Sequence, residues 1–86
     1  MTARDLLKKM TSDYVVLSYV KGCKEIYLEH KYNGGLLTAD DCLFMFNKEL
    51  LDSEVLQVGV CYVKSYNSKI EKPAVLIRTS YDYKGD

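Results

Sequence analysis

The side chains best suited to nucleophilic or proton-transfer chemistry in this chain of 86 residues are three cysteines and one histidine. A Cys–His dyad would need Cys23, Cys42 or Cys61 within hydrogen-bond reach of His30, and no spacing in the sequence places one there. We therefore expect His30 to bond to the backbone or to water near a strand end. Cys42 lies in an apolar run and is expected to be a small buried residue. Cys23 lies in a turn between two lysines and is expected to be a reactive, or simply an exposed, thiol.

A glycine-rich turn and two adjacent aspartates are the other candidates for chemistry. Asn33-Gly34-Gly35 precedes a helix start, as a phosphate loop does, but no Gly-Lys-Ser/Thr follows it. Asp40 and Asp41 stand where the phosphate would lie, and like charge would repel it. Adjacent residues point in different directions on a helix, so the two aspartates do not form a metal pair either. We expect no catalytic residue, no metal site and no cofactor, and hence no enzyme.

Tyrosine is the most informative residue type, because eight of the ten aromatic side chains are Tyr and none is Trp. Nearly all of them fall in predicted strands or at strand ends. Tyrosine suits a binding surface, since it combines a large contact area with a polar tip and few rotatable bonds. The lysines of two predicted turns lie close to these tyrosines in the sequence. The predicted binding residues are Tyr19, Tyr27, Tyr62, Tyr66, Lys21, Lys24, Lys64 and Lys69.

Helices and strands must position these side chains, and two helix starts are marked by capping boxes. Thr2 and Asp5, and again Thr38 and Asp41, have the spacing in which a threonine and an acidic residue cap a helix. The apolar run that begins at Cys42 is also compatible with a strand. Tyrosine and valine dominate the predicted strands. The predicted elements are helices over 2–10 and 39–51 and strands over 14–20, 25–32, 55–66 and 74–81.

The resulting αββαββ order predicts one α+β domain over 1–86, a mainly antiparallel four-stranded sheet with two helices on one face. The length and the 48% hydrophobic composition fit a single folded domain. Short strings such as Tyr-Val-Lys recur at corresponding places in the two halves, which indicates an internal αββ repeat of 1–37 and 38–86. Such common strings also recur by chance, so both explanations stay open.

Both faces of the predicted sheet are apolar. We expect helices to cover Tyr14, Val16, Val20, Ile26, Leu28, Leu56, Val58, Val60, Val75 and Ile77. The opposite face is then formed by Val15, Leu17, Tyr19, Tyr27, Val55, Cys61, Val63 and Leu76. An uncovered apolar face indicates an interface, whereas a sheet curled into a half-barrel would bury both faces within one chain. Gly59, in the middle of the third strand, predicts a bulge or a close backbone approach.

From these features we expect a small non-catalytic binding protein that forms a homo-oligomer and binds a protein partner, as inhibitors and adaptors do. The alternative is a binder of a nucleotide-like small anion or of nucleic acid, through the same tyrosines and the lysine-bearing turns. Twelve basic and twelve acidic residues cancel, which argues against general attraction to nucleic acid or to a membrane. The odd number of cysteines and the charged N-terminal segment predict a cytoplasmic location.

Overall fold

The computed structural model describes residues 1–10, 14–28, 35–66 and 68–82. Its elements in chain order are α1 (Ala3–Lys9), β1 (Tyr14–Lys21), β2 (Lys24–Leu28), α2 (Ala39–Met45), α3 (Lys48–Leu51), β3 (Val55–Val63) and β4 (Lys72–Thr79). The α+β class and the predicted alternation of helices with strand pairs are confirmed. The predicted end of the second strand, from residue 29 to 32, lies outside the described residues.

Both predicted capping boxes begin helices. In α1, the Thr2 Oγ1 accepts a hydrogen bond from the Asp5 N–H at 3.1 Å, and the Asp5 carboxylate accepts one from the Thr2 N–H at 3.3 Å. In α2, the corresponding distances between Thr38 and Asp41 are 3.3 and 3.0 Å. Each box satisfies backbone donors that a helix start leaves unpaired and sets an acidic group at the positive end of the helix. Local sequence therefore decides where these helices begin.

The single helix predicted over 39–51 is in fact two helices. The C-cap of α2 is Phe46, whose N–H bonds to the Cys42 carbonyl. Asn47 has extended backbone geometry, and its side chain accepts a hydrogen bond from the Leu50 N–H at 2.8 Å, which begins α3. The change of direction lets both Cys42 and Leu50 reach the core, where they are 0% and 2% exposed. The strand alternative for the apolar run is wrong.

The four strands form one mixed sheet in the order β2-β1-β4-β3. The pairs β1–β2 and β3–β4 are antiparallel, whereas the central pair β1–β4 is parallel, with Leu17 opposite Ile77. Two of the three pairings are thus antiparallel, as predicted. β1 lies in the centre of the sheet, but β3, its counterpart in the predicted repeat, lies at an edge. The two halves do not occupy equivalent positions, and the internal repeat stays a prediction.

The helices cover one face of the sheet, and β1 contributes the row that begins at Val15 to the core beneath them. Val15, Leu17 and Tyr19 are 3%, 1% and 7% exposed, so their predicted place on the uncovered face is wrong. Successive side chains of a strand point to opposite faces of the sheet, and in β1 both sets of side chains are mostly apolar. The alternation therefore does not show which set the helices cover. The buried cluster consists of Leu7, Val15, Leu17, Leu37, Ala39, Cys42, Leu50, Leu51 and Ile77.

The other face of the sheet, here called the second face, carries the remaining row of each strand. Val16 and Val20, predicted beneath the helices, share this face with Tyr27 and Leu76. Tyr14 changes face in the same way. Val20 is 48% and Tyr27 is 51% exposed, whereas Val16 and Leu76 are half-buried. The second face is therefore partly covered within the chain itself.

Candidate interaction surfaces

The four predicted binding tyrosines differ in exposure and in their place in the sheet. Tyr19 is buried and packs edge-on against Tyr81, with ring centroids 5.3 Å apart and planes at 90°. Tyr27 is 51% exposed on the second face, and Tyr62 is 67% exposed on the helix-covered face. Tyr66 follows β3 and is 61% exposed. Tyr27, Tyr62 and Tyr66 nevertheless line one common cavity, whereas Tyr19 belongs to the core.

The predicted binding lysines fall into two groups at opposite ends of the sheet. Lys21 and Lys24 lie opposite each other at the tip of the first hairpin. Lys64 and Lys69 follow β3, at the end of the sheet where β4 begins. Because β1 and β4 run parallel, the two groups are separated by roughly the length of β1, about 25 Å for a strand of this size. The lysines therefore do not form a single basic surface.

A row of exposed apolar side chains lies along the edge strand β3. Val58, Val60 and Tyr62, here called the β3 row, are 52%, 74% and 67% exposed. Their partners in β4 place them on the helix-covered face, yet the helices leave them open. The strand contains no charged residue and no proline. Along its outer edge, the described chain supplies a partner only at the start, where the Val55 N–H donates to the Met1 carbonyl at 2.9 Å.

The strand at the opposite edge, β2, is built differently. Its described part, Lys24–Leu28, begins with two charged residues, Lys24 and Glu25. Charged side chains are one of the features by which edge strands avoid pairing with other chains. The uncharged β3 lacks this feature, so the two edges of the sheet differ in their capacity to bind another strand.

The bulge in β3 lies between Val55 and Gln57 and not at Gly59, where the sequence predicts one. A Cβ atom built on Gly59 meets no atom within 4 Å, so the described chain leaves open the space that a side chain would occupy here. Gly59 stands at the centre of an uncharged and nearly symmetrical stretch. The residues at equal distances on either side are Val58 and Val60, then Gln57 and Cys61, then Leu56 and Tyr62.

A cavity of about 390 Å³ opens on the second face near the end of β3. Gly35, with φ of +91°, brings its backbone against the Tyr66 ring, so that an added Cβ would lie 3.0 Å from the ring Cζ. Among the described lining residues, Lys64 alone is charged. The other lining residues are mostly apolar and include Val16, Tyr27, Leu28, Leu37, Cys61, Tyr62, Val63 and Leu76.

A polar cluster occupies the second face at the other end of the sheet. The Arg78 Nε donates to Glu25 Oε1 at 3.1 Å, and its Nη1 donates to Gln57 Oε1 at 2.9 Å. The Ser18 hydroxyl also donates to Glu25 Oε1, at 2.9 Å. The guanidinium of Arg78, followed by the Ser18 hydroxyl, holds the pKa of Glu25 below its ordinary value. This cluster contains one residue from each of the four strands.

All three cysteines are free thiols. Burial, together with the charge of Asp41, raises the pKa of Cys42 to about 12. Burial also raises the pKa of the half-buried Cys61. A raised pKa keeps a thiol protonated and makes it a poor nucleophile. Cys23 is exposed, as expected, and His30 lies outside the described residues.

Two surface features are missed by the sequence reasoning. Phe44 is 88% exposed on α2, and its position off the helical stripe of Leu43 and Phe46 is the signal that could have found it. Arg78 is the only arginine in a predicted strand, and a charged side chain on a sheet favours an oppositely charged partner on the same face. That partner is Glu25.

The described part of the chain contains no group of three or more His, Cys, Asp or Glu side chains that could hold a metal ion. None of its described helices is long and apolar enough to cross a membrane. Comparison of the chain with protein-family models, with curated proteins and with solved structures finds no match. The β3 edge, the cavity and the Glu25–Arg78 cluster are the surface features from which the function of this chain can be inferred.

Proposed function

We propose that this chain is a small non-catalytic binding protein that self-associates edge to edge through β3. The observation that carries the proposal is the nine-residue uncharged edge strand with its exposed β3 row. A second copy, running antiparallel, would pair with the backbone groups of this edge and extend the four strands to a sheet of eight. Closed pairing of two identical surfaces about a two-fold axis is the commonest form of oligomer.

The side chains favour a register centred on Gly59. A two-fold axis at this position sets Val58 opposite Val60 of the second copy, with both side chains on the helix-covered face. It sets Gln57 opposite Cys61 of the second copy on the other face. No like charges meet, because β3 has none, and cross-strand apolar pairs stabilise a sheet. Pairing also removes part of the β3 row from water, which is the main driving force for association.

A different protein with an unprotected strand would bind at the same edge, as expected for an inhibitor or adaptor. The alternative of a nucleotide or nucleic-acid site has less support, because its lysines lie at opposite ends of the sheet and Tyr19 is buried. We also propose a cytoplasmic location, since three free thiols suit a reducing compartment.

The test is light scattering behind size exclusion, on reduced protein over a range of concentrations. We expect the wild type to approach twice the 9.9 kDa mass of the chain as concentration rises. The Val60→Lys variant should remain a monomer, because a lysine on each copy sets like charges at the centre of the pairing surface. Val20→Lys is the matched control, since Val20 is an exposed valine on the second face, and its mass should follow the wild type.

Circular dichroism should be the same for all three proteins, so that any change in mass reports association and not unfolding. A wild-type protein that stays monomeric at every concentration contradicts self-association. Loss of the dimer in Val20→Lys, with Val60→Lys unaffected, would move the interface to the second face and overturn the role of β3.

A further inference from the structure

We infer that the cavity on the second face binds a small amphipathic carboxylate, with an apolar body and one acid group. Its volume of about 390 Å³ falls within the range of ~300–1,000 Å³ that is typical of small-molecule sites. At about 30 Å³ for each water-sized group, it holds roughly a dozen non-hydrogen atoms. A saturated fatty acid of roughly ten carbons has this size.

The walls favour an apolar body for the ligand. Val16 and Leu76 lie side by side on the parallel strands β1 and β4, and Val63 of β3 lines the same cavity. These side chains offer no hydrogen bonds, so a polar ligand such as a nucleotide base would lose its bonds to water without replacement. An alkyl chain or a small hydrocarbon ring loses none and gains by leaving water.

The rim favours one negative charge on the ligand. Lys64 is the single charged residue among the described residues that line the cavity, and it forms no ion pair in the described part of the chain. No described lining residue is acidic, so none of these residues repels an anion. Tyr27 and Tyr66 line the same cavity, and each carries a hydroxyl group that can donate a hydrogen bond. One lysine without an arginine suits a carboxylate better than a phosphate, which is held by several donors.

The position of Tyr66 defines one side of the cavity. Its ring lies against the backbone of Gly35, where any Cβ would come within 3.0 Å of the ring carbon. Only glycine leaves room for the ring here, and the φ of +91° at Gly35 is also one that other residues rarely adopt. Both residues line the cavity, so this contact helps to give the cavity its shape.

The thiol of Cys61, which lines the cavity, provides the readout. In a Cys23→Ser background, the exposed thiol is removed and the fully buried Cys42 stays unreactive. The probe is sodium decanoate, and the reaction is alkylation by N-ethylmaleimide followed by mass spectrometry. Decanoate at ten times its Kd should slow the alkylation of Cys61 about tenfold, as mass action requires. Isothermal titration calorimetry supplies the Kd and decides binding independently of the thiol.

Matched ligands and variants distinguish the contribution of the acid group to binding from that of the apolar chain. Decan-1-ol, which has the same chain without the charge, should protect Cys61 less well than decanoate. Lys64→Gln should weaken decanoate binding about two- to fivefold, the size expected for an exposed ion pair. Lys69→Gln, at a lysine that does not line the cavity, should not weaken it. The inference is overturned if calorimetry detects no decanoate binding, or if decan-1-ol binds equally well and Lys64→Gln has no effect.

Discussion

Two tyrosines show how differently one residue type is used in this molecule. Tyr19 and Tyr62 both stand in apolar strands on the helix-covered face, yet they are 7% and 67% exposed. Tyr19 lies on a central strand beneath the helices and meets Tyr81 edge-on. Tyr62 lies on the edge strand, beyond the helices. The position of the strand in the sheet, and not the residue type, decides which tyrosine is available for binding.

This difference predicts opposite effects of the same substitution. Tyr19→Ser should lower the free energy of unfolding by about 3 kcal/mol, because it removes a buried ring and its contact with Tyr81. Tyr62→Ser should change it by less than about 0.5 kcal/mol, as is usual for an exposed position. Urea unfolding followed by circular dichroism measures both, in the Val60→Lys background so that association does not contribute. An equal decrease in the free energy of unfolding in the two variants would contradict the assignment of Tyr62 to the surface.

The residues that cap helices are predictable from the sequence, whereas the face of β1 is not. Thr2 and Thr38 make contacts within three positions of the chain, so their spacing alone identifies them. Val15 and Val16 are equally apolar neighbours, and the choice between them depends on helices that pack from elsewhere in the chain. Which face of a strand becomes buried by such tertiary packing cannot be read from a local apolar pattern.

Among the secondary-structure elements, the break between α2 and α3 is set by the N-cap Asn47, which carries no full capping-box pattern in the sequence. Asn47 accepts a hydrogen bond from the Leu50 N–H but has no acidic residue three positions later to complete a box. The longer apolar periodicity across 39–51 therefore hides it. The break brings Leu50 and Leu51, each 2% exposed, into the core, so this one cap positions two large buried side chains.

Removing the cap tests this account. Asn47→Ala should lower the free energy of unfolding by about 1 kcal/mol, the usual cost of losing an N-cap. Lys48→Ala, at the exposed next position, is the control and should change it by less than about 0.5 kcal/mol. Thermal or urea unfolding checks both. A neutral Asn47→Ala variant would show that packing of Leu50 and Leu51 alone holds α3 in place.

The uncharged composition of β3 is plain from the sequence, but its edge position is not. The position follows from the parallel contact of β1 with β4, which places β3 outermost. That contact joins residues about 60 positions apart, such as Tyr14 and Ala74, and no local pattern reports it. This one long-range pairing makes β3 an edge strand. It therefore explains why the proposed interface lies on β3 and not on the tyrosine-rich face that the sequence predicts.

At the scale of the whole molecule, the Glu25–Arg78 cluster links all four strands through polar contacts. Its effect on stability should depend on pH. The folded-state pKa of Glu25 is lowered, so the carboxylate contributes stability above its unfolded pKa of about 4.3. That contribution is lost as pH falls through the folded-state pKa.

Glu25→Gln therefore should be less stable than the wild type at pH 7, and the difference should shrink as pH falls below about 4. Urea midpoints across a pH series measure it. Glu49→Gln, an exposed acid on α3 that lies outside the cluster, is the control and should follow the wild type. If the difference in urea midpoint between Glu25→Gln and wild type is the same at every pH, the charge of the carboxylate does not contribute to stability.

The central parallel pairing of β1 with β4 also affects how the chain folds during its synthesis on the ribosome. The first hairpin emerges from the ribosome with the inner edge of β1 bare, because its neighbour β4 is made last among the strands of the sheet. Neither hairpin alone is a stable unit, and contacts this distant in sequence close slowly. Until β4 has been synthesised, the nascent chain therefore exposes the unpaired edges of two apolar strands, first β1 and then β3. Chaperone binding at this stage would prevent these edges from pairing with other chains.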